Sequence, residues 1–293
     1  MISGKTKICA IIGDPVEHSV SPAMQNAAFK KLGLDYFYVA FPVKPEQLAK
    51  AVAGLRALNV SGFNITVPHK VAVIPLLDNI DPQAQKIGAV NTVVNDNGKL
   101  TGYNTDAEGF YRALLDRKIS PENKKITVLG AGGASRAISY ILAKKVARLT
   151  ILNRKEHVAK AENIAAMIKK DFRVNVNILA LDKLPEGLKN ADILINTTSA
   201  GMAPHLDESI VPGKLLHGVP VVIDIVYNPV ETRLLKEAKA AGAQTVNGLD
   251  MLVRQGALAF EKWTGQKAPL ATMKKEAEKT LQAAAKDFGG VGN

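Results

Sequence analysis

The chain has 293 residues, 47% hydrophobic and 22% charged, which is enough for two ordinary domains and too apolar for a chain that stays unfolded. A formal charge of +11 would suit a nucleic-acid binder, but the basic residues are spread over helix faces such as "AKKVAR" and "MIKKDFR". With no compact basic tract, zinc-finger spacing or aromatic-basic signature, solvated surface and attraction for small anions explain the charge better than a nucleic-acid partner.

The opening "MISGKTKICAIIG" holds a short apolar run broken by Gly13, Asp14 and Pro15, which suits a first core strand rather than a signal peptide. Its single cysteine, Cys9, reads as a small buried residue in a reducing compartment. No segment reaches the roughly 20 apolar residues that span a bilayer. A cytoplasmic protein with no membrane partner is expected.

From residue 7 short apolar runs alternate with helical stretches: "KICAIIG" as strand, "SPAMQNAAFKKLG" as helix, "YFYVAFPV" as strand, "PEQLAKAVAGLRAL" as helix and "VSGFNITV" as strand. This alternation predicts an α/β domain with a mainly parallel sheet. Asn97-Gly98 marks a hairpin between "NTVVN" and "KLTGYN". Past Asp106 a helix leads into a second series, with strands at "KITVLGA", "RLTILNR", "VNVNILA", "ADILINTT" and "PVVIDIVY" and a short sixth at "AQTVNG". The chain then turns helical and is expected to pack back on the first domain. The expected division is 1–103, completed by helices of 249–293, and a Rossmann-type dinucleotide-binding domain over 104–248.

The dinucleotide reading rests on "KITVLGAGGASRAISYILAKK". Gly130 permits a tight turn, Gly132 lets the backbone approach a pyrophosphate, and the helix start supplies N–H groups for the anion. Gly130, Ala131, Gly132, Gly133 and Ala134 are the candidate phosphate loop, with Ser135 a small residue at the third glycine position. Such a turn can be purely structural; the strand series around it favours the nucleotide. At the end of the next strand, where an NAD site places an acidic residue, stand Asn153, Arg154 and Lys155. Arg154 can clasp a 2′-phosphate bidentately and Lys155 can add a point charge, which favours NADP. Glu156 follows and can address ribose hydroxyls, so NAD stays open.

A nicotinamide enzyme needs a proton donor beside the reacting carbon, worth about 10² to 10⁴ in rate. Lys70 lies just past the end of "GFNITV", where Pro68 stops the strand, and ligands of parallel sheets bind beyond the carboxyl ends of strands. A lone lysine is ordinarily a surface residue. Asp106, flanked by Asn104 and Thr105, also follows a strand end, and the two make a candidate ion-paired acid/base unit. In "GDPVEHSVSPAM" Ser19 and Ser21 precede a helix and suit a carboxylate, besides serving as ordinary capping residues. The histidines His18, His69, His157, His205 and His217 lack ligand spacing, so no metal is expected.

"HSVSP", "GFNITVPHK", "GAVNT", "GYNTDAEG", "GAGGASR", "NTTSAGM" and "NGLDMLVRQGALAFEKWTG" run in order through nearly the whole chain. Together they resemble the shikimate dehydrogenase family, shikimate/quinate dehydrogenases included. The resemblance implies reversible NADPH-dependent reduction of 3-dehydroshikimate to shikimate, in aromatic amino-acid biosynthesis, by a monomer or homodimer. It implies that Lys70 and Asp106 flank the reacting hydroxyl and that Ser19 and Ser21 hold the substrate carboxylate. Asn64, Thr66, Asn91 and Gln255 match positions that contact ring hydroxyls and carboxylate, and Tyr227 one that adds a hydrogen bond. Thr198, Gly201, Met202 and Gly248 match nicotinamide-side loops, and Met251 shares a helix face with Gln255, four residues on.

Under this reading Asn64 and Thr66 point from the strand toward the ligand, Phe63, Ile65 and Val67 anchor its other face, and His69 is a solvent-exposed or capping bystander. Lys155 and Glu156 depart from the threonine or serine common after the Asn-Arg pair, which keeps a quinate/shikimate dehydrogenase using NAD or NADP as the alternative. A non-catalytic nucleotide-binding module is disfavoured, since it would be expected to have lost Lys70 or Asp106.

Overall fold

The computed structural model describes residues 2–289; Met1 and residues 290–293, at the ends of the expected domains, lie outside them. The chain divides into two compact units, 1–109 with 253–293, and 110–252. Residues 104–109 stay with the first unit in this division and 249–252 with the second.

The first unit runs β1 (Lys7–Gly13), α1 (Ser21–Lys31), β2 (Tyr36–Pro42), α2 (Leu48–Ala57), β3 (Gly62–Ile65), β4 (Asn79–Ile80), α3 (Pro82–Ile87), β5 (Thr92–Asp96), β6 (Lys99–Tyr103) and the start of α4 (Asp106–Asp116). Its sheet has the order β2-β1-β3-β5-β6-β4. β1 pairs in parallel with β2 and β3, as a strand buried on both faces should: Cys9 to Ile12 are all in the core. The β5–β6 hairpin runs antiparallel, turning at Asn97 and Gly98, both at positive φ (50° and 89°), the conformation that Asn-Gly favours. Leu48, Val52 and Leu55 of α2 are buried against Phe63, Ile65 and Val93 of the sheet.

The second unit carries β7 (Lys125–Leu129), α5 (Gly133–Ala143), β8 (Arg148–Asn153), α6 (Val158–Asp171), β9 (Asn175–Ala180), α7 (Leu184–Leu188), β10 (Ile193–Asn196), β11 (Val221–Asp224), α8 (Arg233–Ala240) and β12 (Gln244–Val246). All its pairings are parallel, in the order β12-β11-β10-β7-β8-β9. The strand order reverses between β7 and β10, and a crevice at such a switch point is where open α/β sheets take their ligands.

Two helices end the chain, α9 (Leu249–Thr264) and α10 (Leu270–Gly289). They return to the first unit as expected: α10 lies along α1, Phe260 stacks on Phe29 at 5.1 Å between ring centroids, and Trp263 Nε1 donates to the Val93 carbonyl. Gly62 makes room for that indole, since a Cβ there would stand 2.2 Å from Trp263 Nε1. Among the described residues no helix is long and apolar enough to cross a membrane.

Two expectations around β3 need correction. Val67 does not anchor the strand: β3 stops at Ile65 and Val67 is 63% exposed. The chain turns at once, with the His69 N–H on the Thr66 carbonyl at 2.9 Å, which faces Val67 outward and His69 inward. His69 is accordingly neither exposed nor a cap. It is buried, and its Nε2 donates to the Val43 carbonyl at 2.6 Å.

Candidate active site and nucleotide turn

Backbone hydrogen bonds fix where Lys70 starts. Thr66 N–H donates to the Ile12 carbonyl and Asp14 N–H to that of Val67, and the Lys70 carbonyl accepts from Val90 N–H at 2.8 Å. The same segment ties down Asp106. Asn104 donates through Nδ2 to the Ala89 carbonyl at 2.9 Å and accepts from Ala107 N–H at 3.2 Å, so it closes the start of α4 where Asp106 is the first residue.

The result is a short ion pair. Lys70 Nζ lies 2.6 Å from Asp106 Oδ2, with the side chains 14% and 5% exposed. The other carboxylate oxygen, Oδ1, accepts from Asn91 Nδ2 at 2.8 Å. Asn91 is itself held through Oδ1 by the Thr105 N–H at 2.7 Å, and its amide reaches Gln255 Oε1 at 3.3 Å. Asn64 completes the cluster: Nδ2 donates to the Asn91 carbonyl and to Thr92 Oγ1, both at 3.0 Å, and Oδ1 accepts from the Tyr38 hydroxyl at 2.8 Å. Burying a charged pair repays its desolvation only with the help of further hydrogen bonds, and the Asn91 amide supplies one to the second oxygen of Asp106. A glycine permits the approach of Gln255, because a Cβ at Gly109 would stand 2.7 Å from Gln255 N.

Ser21 is the buried first residue of α1, whose start has no side-chain cap, and its N–H donates to Ser19 Oγ at 3.3 Å. Two hydroxyls are thus gathered at one helix start, whose dipole favours an anion. Thr66 is half-buried, its methyl packed on Gly13, where a Cβ would stand 2.2 Å away. Lys70, Asp106, Asn64, Asn91 and Gln255 are therefore joined in one hydrogen-bonded cluster of the first unit, which also holds Ser19, Ser21 and Thr66. Tyr227 and Met251 belong to the second.

In the second unit Gly130 has φ +98°, and its N–H donates to the Leu152 carbonyl at 2.8 Å. Ser135 is fully buried and donates to the Gly130 carbonyl at 2.7 Å, so the turn closes tightly onto α5 with serine in place of a third glycine. Gly132 stands just before α5 in extended conformation, and a Cβ there would meet nothing within 4 Å. Open space over a backbone of N–H groups fits a pyrophosphate. Arg154, Lys155 and Glu156 are exposed where β8 ends, and Asn153 Nδ2 closes that turn on the His157 carbonyl at 2.8 Å.

A family model described as "Shikimate dehydrogenase substrate binding domain" matches residues 11–93, "Shikimate / quinate 5-dehydrogenase" residues 114–238, and "Shikimate 5'-dehydrogenase C-terminal domain" residues 248–278. The chain is 51% identical to a shikimate dehydrogenase (NADP(+)) of Methanobrevibacter smithii, over 96% of this chain and 99% of that one. The chain belongs to the shikimate dehydrogenase family. A second relative, the shikimate dehydrogenase (NADP(+)) of Dehalococcoides mccartyi strain CBDB1, is 49% identical over 92% of this chain and 95% of its own length. A crystal structure of a shikimate dehydrogenase in complex with NADP+ superposes with a TM-score of 0.87 at 46% identity, covering 96% of this chain and 98% of that chain.

Some residues around these shikimate dehydrogenase motifs escaped the sequence reading. Tyr38 and Thr92 hold Asn64, but each sits in an ordinary strand pattern with nothing local to mark it. Asp224 ends the apolar run "VVID" and is fully buried. Burial pushes its carboxyl up to about 6, against the downward pull of hydrogen bonds from Thr232, Val226 and Asn196. The signal available was a polar residue closing each of two apolar strands, Asn196 and Asp224.

Proposed function

We propose that this chain is an NADP-dependent shikimate dehydrogenase, reducing 3-dehydroshikimate to shikimate reversibly in the cytoplasm, as a monomer or homodimer. The observation that carries the reading is the Lys70–Asp106 pair at 2.6 Å inside a hydrogen-bonded polar cluster. Bound NADPH supplies the hydride for the carbonyl carbon. Lys70 donates the proton that makes the carbonyl oxygen a hydroxyl and, in the reverse direction, takes it back. Asp106 holds the Lys70 ammonium in place, and Asn91 holds Asp106 through the oxygen that Lys70 leaves free. Ser19 and Ser21 take the substrate carboxylate at the start of α1, while Asn64, Thr66, Asn91, Gln255 and Tyr227 address the carboxylate and ring hydroxyls.

Gly130 to Ala134 would hold the pyrophosphate of the dinucleotide, and Asn153, Arg154 and Lys155 its 2′-phosphate. Thr198, Gly201, Met202, Gly248 and Met251 would line the nicotinamide side. Charge-assisted contacts from a guanidinium favour the extra phosphate of NADP. The test is the initial rate with shikimate or quinate against NADP or NAD. A rate concentrated on shikimate with NADP is expected; equal rates with quinate or NAD would move the chain to the dual-specificity relatives, and no rate with any pair would overturn the reading.

A further inference from the structure

The dinucleotide crevice of the second unit opens between β7 and β10, where the strand order reverses. One wall is the glycine turn after β7. The other is the segment after β10, and the two touch: a Cβ on Gly130 would stand 2.9 Å from both Thr197 Oγ1 and Thr198 Cγ2. Thr197 anchors to β7 through two hydrogen bonds on the Leu129 carbonyl, from N–H at 2.9 Å and from Oγ1 at 2.6 Å. Beyond Thr197 the wall has a different support.

Asn196, the last residue of β10, is in register with Asp224, the last residue of β11. Its Oδ1 accepts from Thr198 N–H at 3.0 Å and Thr198 Oγ1 at 2.7 Å, and its Nδ2 donates to Asp224 Oδ1 at 2.9 Å. Asp224 Oδ1 also accepts from Val226 N–H at 3.0 Å, while Oδ2 accepts from Thr232 Oγ1 at 2.7 Å. The Val226 carbonyl in turn receives Gly248 N–H at 3.1 Å. One buried carboxylate thus braces two segments that leave the sheet at the crevice. A carboxylate with no neighbouring cation is an expensive group to bury; among the described residues Asp224 has none, and its three donors come from the segments it braces or from the start of α8.

Resting on the reading of this crevice as the NADP site, we infer that Asn196 and Asp224 are positioning residues for the dinucleotide, fixing the Thr198–Met202 wall through the Asn196 amide. Asp224 sets which way that amide faces: its carboxylate can only accept, so the Asn196 oxygen is left for Thr198. A carboxylate at position 196 would still accept from Thr198 but would face Asp224 with like charge. An amide at position 224 would relieve that conflict.

The test is calorimetric titration of NADP and, separately, of shikimate into the full chain and its variants, with hydrogen exchange of the Thr198 amide, and of the Ala200 amide that donates to Thr198 Oγ1 at 3.3 Å, as an independent readout. Asn196→Ala and Asn196→Asp should each weaken NADP about tenfold, the scale of one or two lost buried hydrogen bonds, with shikimate affinity within about twofold and faster exchange at both amides. Adding Asp224→Asn to Asn196→Asp should recover most of the NADP affinity. Should Asn196→Ala yield no folded protein, the isosteric Asn196→Asp carries the comparison. Unchanged NADP affinity in a folded variant, an equal loss for shikimate, or a double variant no better than the single one would overturn the inference. Failure of the wild type to turn over shikimate would instead count against the proposed function, and the calorimetry would still decide the role of Asn196.

Discussion

The two candidate sites are built by opposite means. In the first unit the chemistry sits in side chains buried among one another: Asn64, Asn91, Thr105 and Asp106 are each at most 6% exposed, and every one hydrogen-bonds to another of the set or to its backbone. In the second unit the nucleotide turn is backbone at Gly130 and Gly132, with its charged groups Arg154 and Lys155 out in solvent. A site of interlocked side chains should fail abruptly when one is removed, because the others lose their partners. A site of backbone N–H groups and exposed cations should fail gradually and respond to salt.

The sharpest way to break that contrast is Lys70→Met, which keeps the length of the side chain and removes the ammonium. Turnover should fall by about 10² to 10⁴, while NADP affinity measured by titration stays within about twofold. Asp106→Asn should do the same to turnover with a smaller loss. If either variant weakened NADP as much as it slowed turnover, the separation between the sites would be lost.

How much of this was legible in the sequence follows the same divide. Local chemistry was readable: Asn97-Gly98 fixed its hairpin, and the glycines after β7 fixed a turn whose demands are met within a few residues. The alternation of strand and helix was also readable, because burial on both faces leaves continuous apolar runs. What failed depended on backbone turns or on partners far along the chain. His69 looked exposed because its hydrogen-bond acceptor, Val43, is 26 residues away, and Val67 looked buried because the turn that exposes it is made by backbone, which side-chain pattern does not report. Asp224 went unnoticed because its two side-chain donors lie 28 residues before it and 8 after it.

The buried carboxyl of Asp224 tests whether the second unit hides an interlocked core of its own. Its carboxyl is raised from 3.8 to about 6 by burial. Between about pH 4 and pH 6 the folded chain therefore holds a proton that the unfolded chain has released, so stability falls as pH rises through that window and levels off above it. A shift of about two units corresponds to at most about 3 kcal/mol. Denaturation of wild type and Asp224→Asn at a series of pH values should show this slope in the wild type and its absence in the variant. Parallel curves would mean that the carboxyl is not perturbed.

The paired glycines of the nucleotide turn separate folding from binding within one loop. Gly130→Ala places a methyl against Thr197 and Thr198 at positive φ, and should cost about 1–3 kcal/mol of stability. Gly132→Ala meets nothing in the protein, so its melting temperature should barely move while NADP binding weakens about tenfold, if the open space over Gly132 is where the pyrophosphate lies. A Gly132→Ala variant that binds NADP normally would remove that placement.

The smallest effect belongs to Lys155, and it bears most directly on whether the cofactor site is as graded as its exposure suggests. Lys155 opens a short 3₁₀ turn directly after Arg154 and is solvent-exposed. Its ammonium is a hydrated point charge without the fixed fork of a guanidinium, so its pull on a 2′-phosphate should be worth only about 0.2–1 kcal/mol. Lys155→Ala should then weaken NADP about two- to fivefold at low salt and hardly at all near 0.5 M, where the Debye length falls to roughly 4 Å. Arg154→Ala should weaken it more and retain part of its effect at that salt, because a bidentate contact is short and geometrically fixed. If the Lys155 loss survived high salt undiminished, the lysine would be making a direct, desolvated contact, and the second unit would hold an interlocked site at its surface after all.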